Sequence, residues 1–355
     1  MFKRKSLWSL VVLFVIISLM FALTGCGTSQ KPADSTAPAT EQQSAVSETD
    51  LTIAEAAKYL SSELAKTPTI SPQDVYNKIV AGGDTNYQLV SLQKPEDYAA
   101  GHVKGAINIP YAQMAKKDSL AKLDKNKKIV LICYTGHTAS YTSMFLNELG
   151  YEAYAMKFGM NGWSSNKAPM GKVSFFTKPA DLPVDTTPVE ASAGNELPQI
   201  NTGEKSAEAI MIAVTDKYLS SELAKTPTIS PQDVYNKIVA GGDTGYQLVS
   251  LQKPEDYAAG HVKGAINIPY AQMAKKDSLA KLDKNKKIVL ICYTGHTASY
   301  TSMFLNELGY EAYAMKFGMN GWSSNKAPMG KVLFFTKPAD LPIDTSTNSA
   351  VKPAA

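Results

Sequence analysis

Apolar positions follow two rhythms along the chain, and nearly the whole pattern occurs twice. Residues 128–134 (KIVLICY) are a continuous β-branched run, the signature of a strand buried on both faces of a parallel sheet. Residues 138–149 follow with Tyr141, Phe145 and Leu149 on one stripe and Gly150 as a stop signal, which predicts a helix. Residues 87–92 (YQLVSL), 106–109 (AINI) and 152–158 read as further strands. Helical spacing runs over 53–66 through Ala56, Leu60 and Leu64. Ser71-Pro72 supplies an N-cap and a proline at the first helical position, opening a helix with Val75, Ile79 and Val80 that stops at Gly82-Gly83. A helical turn is expected over 94–101, an amphipathic helix over 111–123 and a short helix over 159–166. Strands alternating with helices predict an α/β fold with a parallel sheet and right-handed crossovers.

The pattern recurs at an offset of 159 residues. Positions 58–186 and 217–345 differ only at Asn86/Gly245, Ser174/Leu333 and Val184/Ile343. That period is far too long for a solenoid unit and is domain-sized. Whatever one copy can do, the other can do unless their surroundings differ. The first domain is expected over 51–186 and the second over 210–345. Between them 187–209, and most clearly 187–203 (TPVEASAGNELPQINTG), is polar and punctuated by Pro and Gly, a linker pattern. Residues 346–355 form a short tail. The simplest arrangement is two independent domains on a linker, and the sequence leaves open whether their equivalent loops face each other.

The N-terminus has a different pattern. Met1 to Lys5 is basic, residues 7–23 are apolar, and Leu-Thr-Gly-Cys follows at 23–26. A basic stretch before an apolar core is a secretory signal; at 17 residues with two serines, the run sits at the short limit for a transmembrane span. Leu-Thr-Gly-Cys resembles the lipobox of bacterial lipoproteins. That resemblance implies a signal peptide over 1–25, cleavage before Cys26, and lipidation of Cys26, anchoring the chain to the extracytoplasmic side of the bacterial cell membrane. Residues 26–50 are then the lipidated cysteine and a tether of Ser, Thr, Ala, Pro and Gln. As a flexible coil it would span about 25–30 Å r.m.s..

Charge changes this picture in one respect. The net charge of +4 falls to +1 without Lys3, Arg4 and Lys5, which argues against a nucleic-acid partner. Arg4 is the only arginine in the chain, so any anion here is bound without a guanidinium fork. Three Cys and four His argue against a disulfide-stapled fold or a metal centre, and no cofactor is expected.

The candidate chemistry lies in Cys133-Tyr134-Thr135-Gly136-His137-Thr138 and its repeat, Cys292-Tyr293-Thr294-Gly295-His296-Thr297. A buried strand ends at the cysteine and a helix begins within a few residues. Ligands of open α/β sheets bind at this edge, and helix N-terminal amides stabilise an anion there. An unassisted thiol is largely protonated at neutral pH, and Gly136 supplies the unusual backbone angle a tight loop needs. Three readings stand open on position alone: a reactive thiolate, an inert buried cysteine, or a Cys133–Cys292 disulfide. His137 and His296 are solvent-facing loop residues, or part of an anion site if protonated, or an acid–base group. His102, Trp163 and the lysines of 116–128 read as structural, packing and solvated positions.

Each copy resembles a rhodanese domain. The residues that carry the resemblance are 95–110 (PEDYAAGHVKGAINIP), the strand–Cys133 loop–helix unit, Leu149-Gly150-Tyr151 and 159–163 (GMNGW). It implies a five-stranded parallel sheet flanked by helices, a persulfide on Cys133 and Cys292, and transfer of sulfane sulfur from a small sulfur-containing anion or persulfide to a thiophilic acceptor. The alternative is a sulfur carrier, sensor or interaction module without turnover. Family phosphatases carry a loop one residue longer ending in Arg; that position here is Ala139. Two departures from active members stand out. Thr138 and Thr297 replace a basic residue at the loop end, and Ser91-Leu92-Gln93 (Ser250-Leu251-Gln252) replaces Asp-x-Arg.

Overall fold

A computed structural model describes residues 46–346. The expected signal peptide, Cys26, the expected tether up to residue 45 and the tail beyond 346 lie outside the described residues. In the first copy α1 (Glu48–Leu60) and α2 (Glu63–Lys66) precede β1 (Thr69–Ile70), α3 (Pro72–Asp74), β2 (Tyr87–Ser91), α4 (Pro95–Ala100) and β3 (Ile107–Asn108). Then come α5 (Lys117–Leu120), β4 (Lys128–Ile132), α6 (His137–Glu148), β5 (Glu152–Met156) and α7 (Gly159–Trp163). The second copy repeats them as α8 (Ala207–Leu219), α9 (Glu222–Lys225), β6 (Thr228–Ile229), α10 (Pro231–Asp233), β7 (Tyr246–Ser250), α11 (Pro254–Ala259) and β8 (Ile266–Asn267). It closes with α12 (Lys276–Leu279), β9 (Lys287–Ile291), α13 (His296–Glu307), β10 (Glu311–Met315) and α14 (Gly318–Trp322).

Each copy holds one parallel five-stranded sheet, ordered β1-β5-β4-β2-β3 and β6-β10-β9-β7-β8. This is the architecture expected from the sequence. β4 and β9 are central and buried along residues 129–132 and 288–291 because helices cover both faces. Three local expectations are revised. The helix over 53–66 is broken at Ser61-Ser62, where Ser62 caps α2 through the Ala65 N–H. The helix opened by Pro72 continues past α3 as a π-helical stretch, Val75–Val80. Residues 111–123 form a 3₁₀ turn, Tyr111–Gln113, and then α5, with extended backbone at Lys116 between them. That bend lets Met114, Ala115 and Leu123 all reach the core.

The two copies are not independent. One hydrophobic core runs through both, from Ile53 and Tyr141 to Val214 and Tyr300. α6 packs on α13, with α1 and α8 alongside. Tyr59 stacks on Tyr300 and Tyr141 on Tyr218, at 6.0 and 6.1 Å between ring centroids. Tyr141 Oη donates to Pro227 O and Tyr300 Oη to Pro68 O, both at 2.7 Å. Lys116 reaches Asp216, and Lys276 reaches Asp50, at 2.7 Å. Each tyrosine contact has its mate under exchange of the copies, so the copies are related by a pseudo-two-fold axis; the two ion pairs are not mates, because the positions equivalent to Asp216 and Asp50 are Ala57 and Ala209.

The end of each copy is also exchanged. Ala180 and Leu182 N–H donate to Gly321 O and Trp322 O, while Ala339 and Leu341 N–H donate to Gly162 O and Trp163 O. Asp185 bridges His261, and Asp344 bridges His102. The indole N–H of Trp163 donates to Pro342 O and that of Trp322 to Pro183 O, each at 2.8 Å. The polar linker then runs back along the second copy: Asn195 N–H donates to Ala280 O, and Thr202 and Gly203 N–H bind the Glu48 carboxylate on α1.

Candidate active site

Cys133 follows the last residue of β4, and α6 begins at His137, so four residues make the turn from sheet to helix. Gly136 is the N-cap with φ 86°, a left-handed angle that favours glycine. Its N–H donates to Cys133 Sγ at 3.0 Å; in the second copy Gly295 N–H donates to Cys292 Sγ at 3.1 Å. The loop carbonyls are held elsewhere. Met160 N–H donates to Cys133 O and Asn161 N–H to Tyr134 O, both at 2.8 Å, from the first turn of α7. That close approach requires Gly159, whose φ is 51° and where a Cβ would collide with Cys133 O. With its carbonyls bound to α7, the loop presents an amide to the sulfur. Both thiols are free and only 1% exposed, which removes the disulfide reading.

The loop side chains divide. Tyr134 turns to α4: its hydroxyl donates to Asp97 Oδ2 at 2.5 Å and accepts from Lys94 N–H at 2.9 Å. Burial first, and the Asp97 carboxylate second, raise its pKa. Tyr293 does the same with Asp256 and Lys253. Thr135, Thr138, Thr294 and Thr297 are half-buried at the loop.

The histidines are neither solvent-facing nor cationic. His137 Nε2 accepts from Phe317 N–H of the second copy at 3.0 Å, and His296 Nε2 accepts from Phe158 N–H of the first at 3.1 Å. An Nε2 that accepts leaves the proton on Nδ1, which donates to Thr135 Oγ1, or Thr294 Oγ1, at 3.0 Å. The rings lie nearly parallel, 6.2 Å apart. Burial pushes the His296 pKa down to about 3, with Lys157 adding to the effect. The same cause holds His137 well below its ordinary range, with His296 and Lys316 adding to it. A protonated histidine therefore does not replace the cation missing at Thr138 and Thr297.

The other departure is also accounted for. Ser91 Oγ donates to Gln93 Oε1 at 2.7 Å, and Gln93 Nε2 donates to Pro169 O at 2.8 Å and Gly101 O at 3.1 Å. Both side chains are fully buried. A neutral, hydrogen-bonded pair thus occupies the place where Asp-x-Arg would bury charge. His102 stacks on Tyr98 and bonds Tyr98 O through Nδ1, a structural role.

Two segments, 71–166 and 230–325, match the family described as Rhodanese-like domain, and together they cover more than half of the chain. The chain belongs to the rhodanese family. Its copies are similar to the thiosulfate sulfurtransferase PspE of Escherichia coli (strain K12), 34% identical over 62 residues, 18% of this chain and 60% of that protein. They are similar to the thiosulfate sulfurtransferase GlpE of Pseudomonas aeruginosa (strain LESB58), 26% identical over 83 residues, 23% of this chain and 74% of that protein. The putative sulfurtransferase YtwF of Bacillus subtilis (strain 168) is 28% identical over 100 residues, 28% of this chain and 93% of that protein. Among solved structures, a thiosulfate sulfurtransferase from Pseudomonas aeruginosa aligns over 78% of this chain and 48% of its own, at 16% identity and TM-score 0.28.

Sequence reasoning found the cysteine loops and missed their supports. Phe158, Gly159 and Asp97 act on the loop; Gly159 and Asp97 lie in the stretches 159–163 and 95–110 that carried the resemblance, without their contacts being readable there, and Phe158 carried no signal.

Proposed function

We propose that this rhodanese is a sulfurtransferase with two working cysteines, held at the extracytoplasmic face of the membrane by lipidated Cys26. The observation that supports catalysis most is the amide aimed at sulfur: Gly136 N–H on Cys133 Sγ, repeated at Gly295 and Cys292. The Cys133 thiolate attacks the outer sulfur of a donor such as thiosulfate or a persulfide. The Cys–S bond forms as the donor's S–S bond breaks, and sulfite or a thiolate leaves with the electron pair. The resulting Cys–S–S⁻ lies in the loop, where amides and the Thr135 hydroxyl stabilise the anion. A thiophilic acceptor then takes the outer sulfur and returns the thiolate, with no net oxidation. Because Thr138 and Thr297 supply no fixed charge, an organic persulfide, whose sulfane group carries a single charge, suits the loop better than dianionic thiosulfate.

The test is turnover of thiosulfate, polysulfide and glutathione persulfide with cyanide as acceptor, read as thiocyanate. Wild type should turn over at least one donor, and Cys133→Ser/Cys292→Ser none. Thiocyanate formed in a single stoichiometric burst, without turnover, would favour a sulfur carrier. Anchoring is tested separately by the mass of the N-terminal peptide: a diacylated Cys26, lost in Cys26→Ala, supports it, and an unmodified Met1 contradicts it.

A further inference from the structure

The two cysteine loops interlock at the pseudo-two-fold axis, and each histidine belongs to both. His296 touches the Cys133 loop by two routes. Its Nε2 accepts the Phe158 N–H, and Phe158 leads directly into the Gly159–Met160 turn that holds Cys133 O. Its ring also occupies the space beside Gly136, where a Cβ would come within 2.5 Å of Nε2. Gly136 is the residue whose N–H points at Cys133 Sγ. The mate of this arrangement joins His137 to Phe317, Gly295 and Cys292. Phe158 makes an edge contact with the His296 ring at 5.0 Å, and Phe317 with the His137 ring at 5.1 Å.

We infer that His296 is a positioning residue for Cys133, and His137 for Cys292: each sulfur site is completed by the copy that does not carry it. Phe158 and Phe317 sit at left-handed backbone angles, φ 59° and 60°, which a residue with a Cβ adopts only when surroundings impose it. The histidine acceptor from the other copy is one such constraint. Removing it frees the Phe158 N–H and loosens the turn behind Cys133. This inference rests on the sulfurtransferase reading for its consequence in catalysis, but its geometric core concerns thiol protection alone.

The experiment reads Cys133 while altering only the opposite copy. Residues 129–157 and 288–316 are identical, so peptides cannot distinguish the cysteines. The full chain with Cys292→Ser is therefore the parent, and His296→Ala, His296→Asn and His296→Gln are added to it. The first readout is the alkylation rate of Cys133 by iodoacetamide; the second is sulfur loading from polysulfide, seen as a +32 Da adduct (the mass of one sulfur atom). His296→Ala should alkylate at least about fivefold faster, because a sealed thiol is opened, and load sulfur at least about tenfold more slowly. His296→Gln, whose amide oxygen can accept the Phe158 N–H, should recover most of both. His296→Asn, too short to reach, should resemble Ala, and this pair carries the test if His296→Ala does not fold. Rates within 1.5-fold of the parent, or Gln no better than Asn, would overturn the inference. If the parent loads no sulfur from any donor, the catalytic reading fails, while alkylation still decides the positioning.

Discussion

Glu148 and Glu307, the last residues of α6 and α13, are 5% and 2% exposed between the copies. Burial is the first cause raising both carboxyls; for Glu148 the neighbouring Glu307 is the next, followed by Glu55 on α1. Thr215 on α8 donates to Glu307 Oε1 at 2.6 Å, and the buried tyrosines Tyr59, Tyr111, Tyr218 and Tyr270 surround the pair. Glu307 is pushed up to about 7 from an ordinary 4.5, and Glu148 is raised well above its ordinary range as well. Between 4.5 and about 7 Glu307 makes the folded state bind more protons than the unfolded state, so its contribution to stability falls as pH rises and levels off above about 7. At about 1.4 kcal/mol per pKa unit, Glu307 alone costs about 2 to 3 kcal/mol between pH 5 and pH 8. Glu307→Gln keeps an acceptor for Thr215 and removes the charge. Urea unfolding of both proteins at pH 5 and pH 8 should therefore show the variant gaining about 2 to 3 kcal/mol over wild type across that range. Comparing the proteins at equal pH cancels the titrations Glu307 does not touch; Glu148, which Glu307 helps to raise, adds to the difference in the same direction. An equal pH dependence in the two would refute the buried-charge argument.

The histidines work in the opposite direction. Because the His296 pKa is lowered to about 3, the unfolded state takes up the proton first, so stability is lost as pH falls below about 6.5. His296→Gln should remove about 2 kcal/mol of the loss between pH 7.5 and pH 5, seen as a smaller shift in urea midpoint; an unchanged acid sensitivity would contradict a neutral, buried ring. Gly159→Ala should destabilise by about 2 kcal/mol or more and expose Cys133 to alkylation, since its Cβ meets Cys133 O; a wild-type melting temperature would contradict that packing. Thr138→Arg/Thr297→Arg should raise thiosulfate turnover well above wild type, and no change would show that the missing cation is not what limits it.

The central strands were legible because burial leaves a local trace: residues 129–132 are apolar without interruption. β1 left none, since Thr69 and Ile70 become a strand only by pairing with Ala155 and Met156. The joining of the copies was the least legible feature. α6 reads as half polar, with Ser140, Thr142, Ser143, Asn147 and Glu148, yet all five are buried. Small polar side chains suit a surface as well as a tight helix–helix contact, and only the second copy decides between them. The polar linker misleads for the same reason, because its partners, Tyr257, Ala280 and Thr49, are distant in the chain. His137 shows the limit most sharply. Its position beside Cys133 suggested a charge for an anion, while its actual partner lies 180 residues away at Phe317.

The most direct measurement is the intact mass of the full chain after incubation with polysulfide or thiosulfate, and again after cyanide. Two sulfur-accepting cysteines predict up to two +32 Da adducts (one sulfur each) that cyanide removes, one remaining in Cys292→Ser and none in Cys133→Ser/Cys292→Ser. No adduct from any sulfane donor, or adducts that persist in the double variant, would contradict a sulfurtransferase built on Cys133 and Cys292.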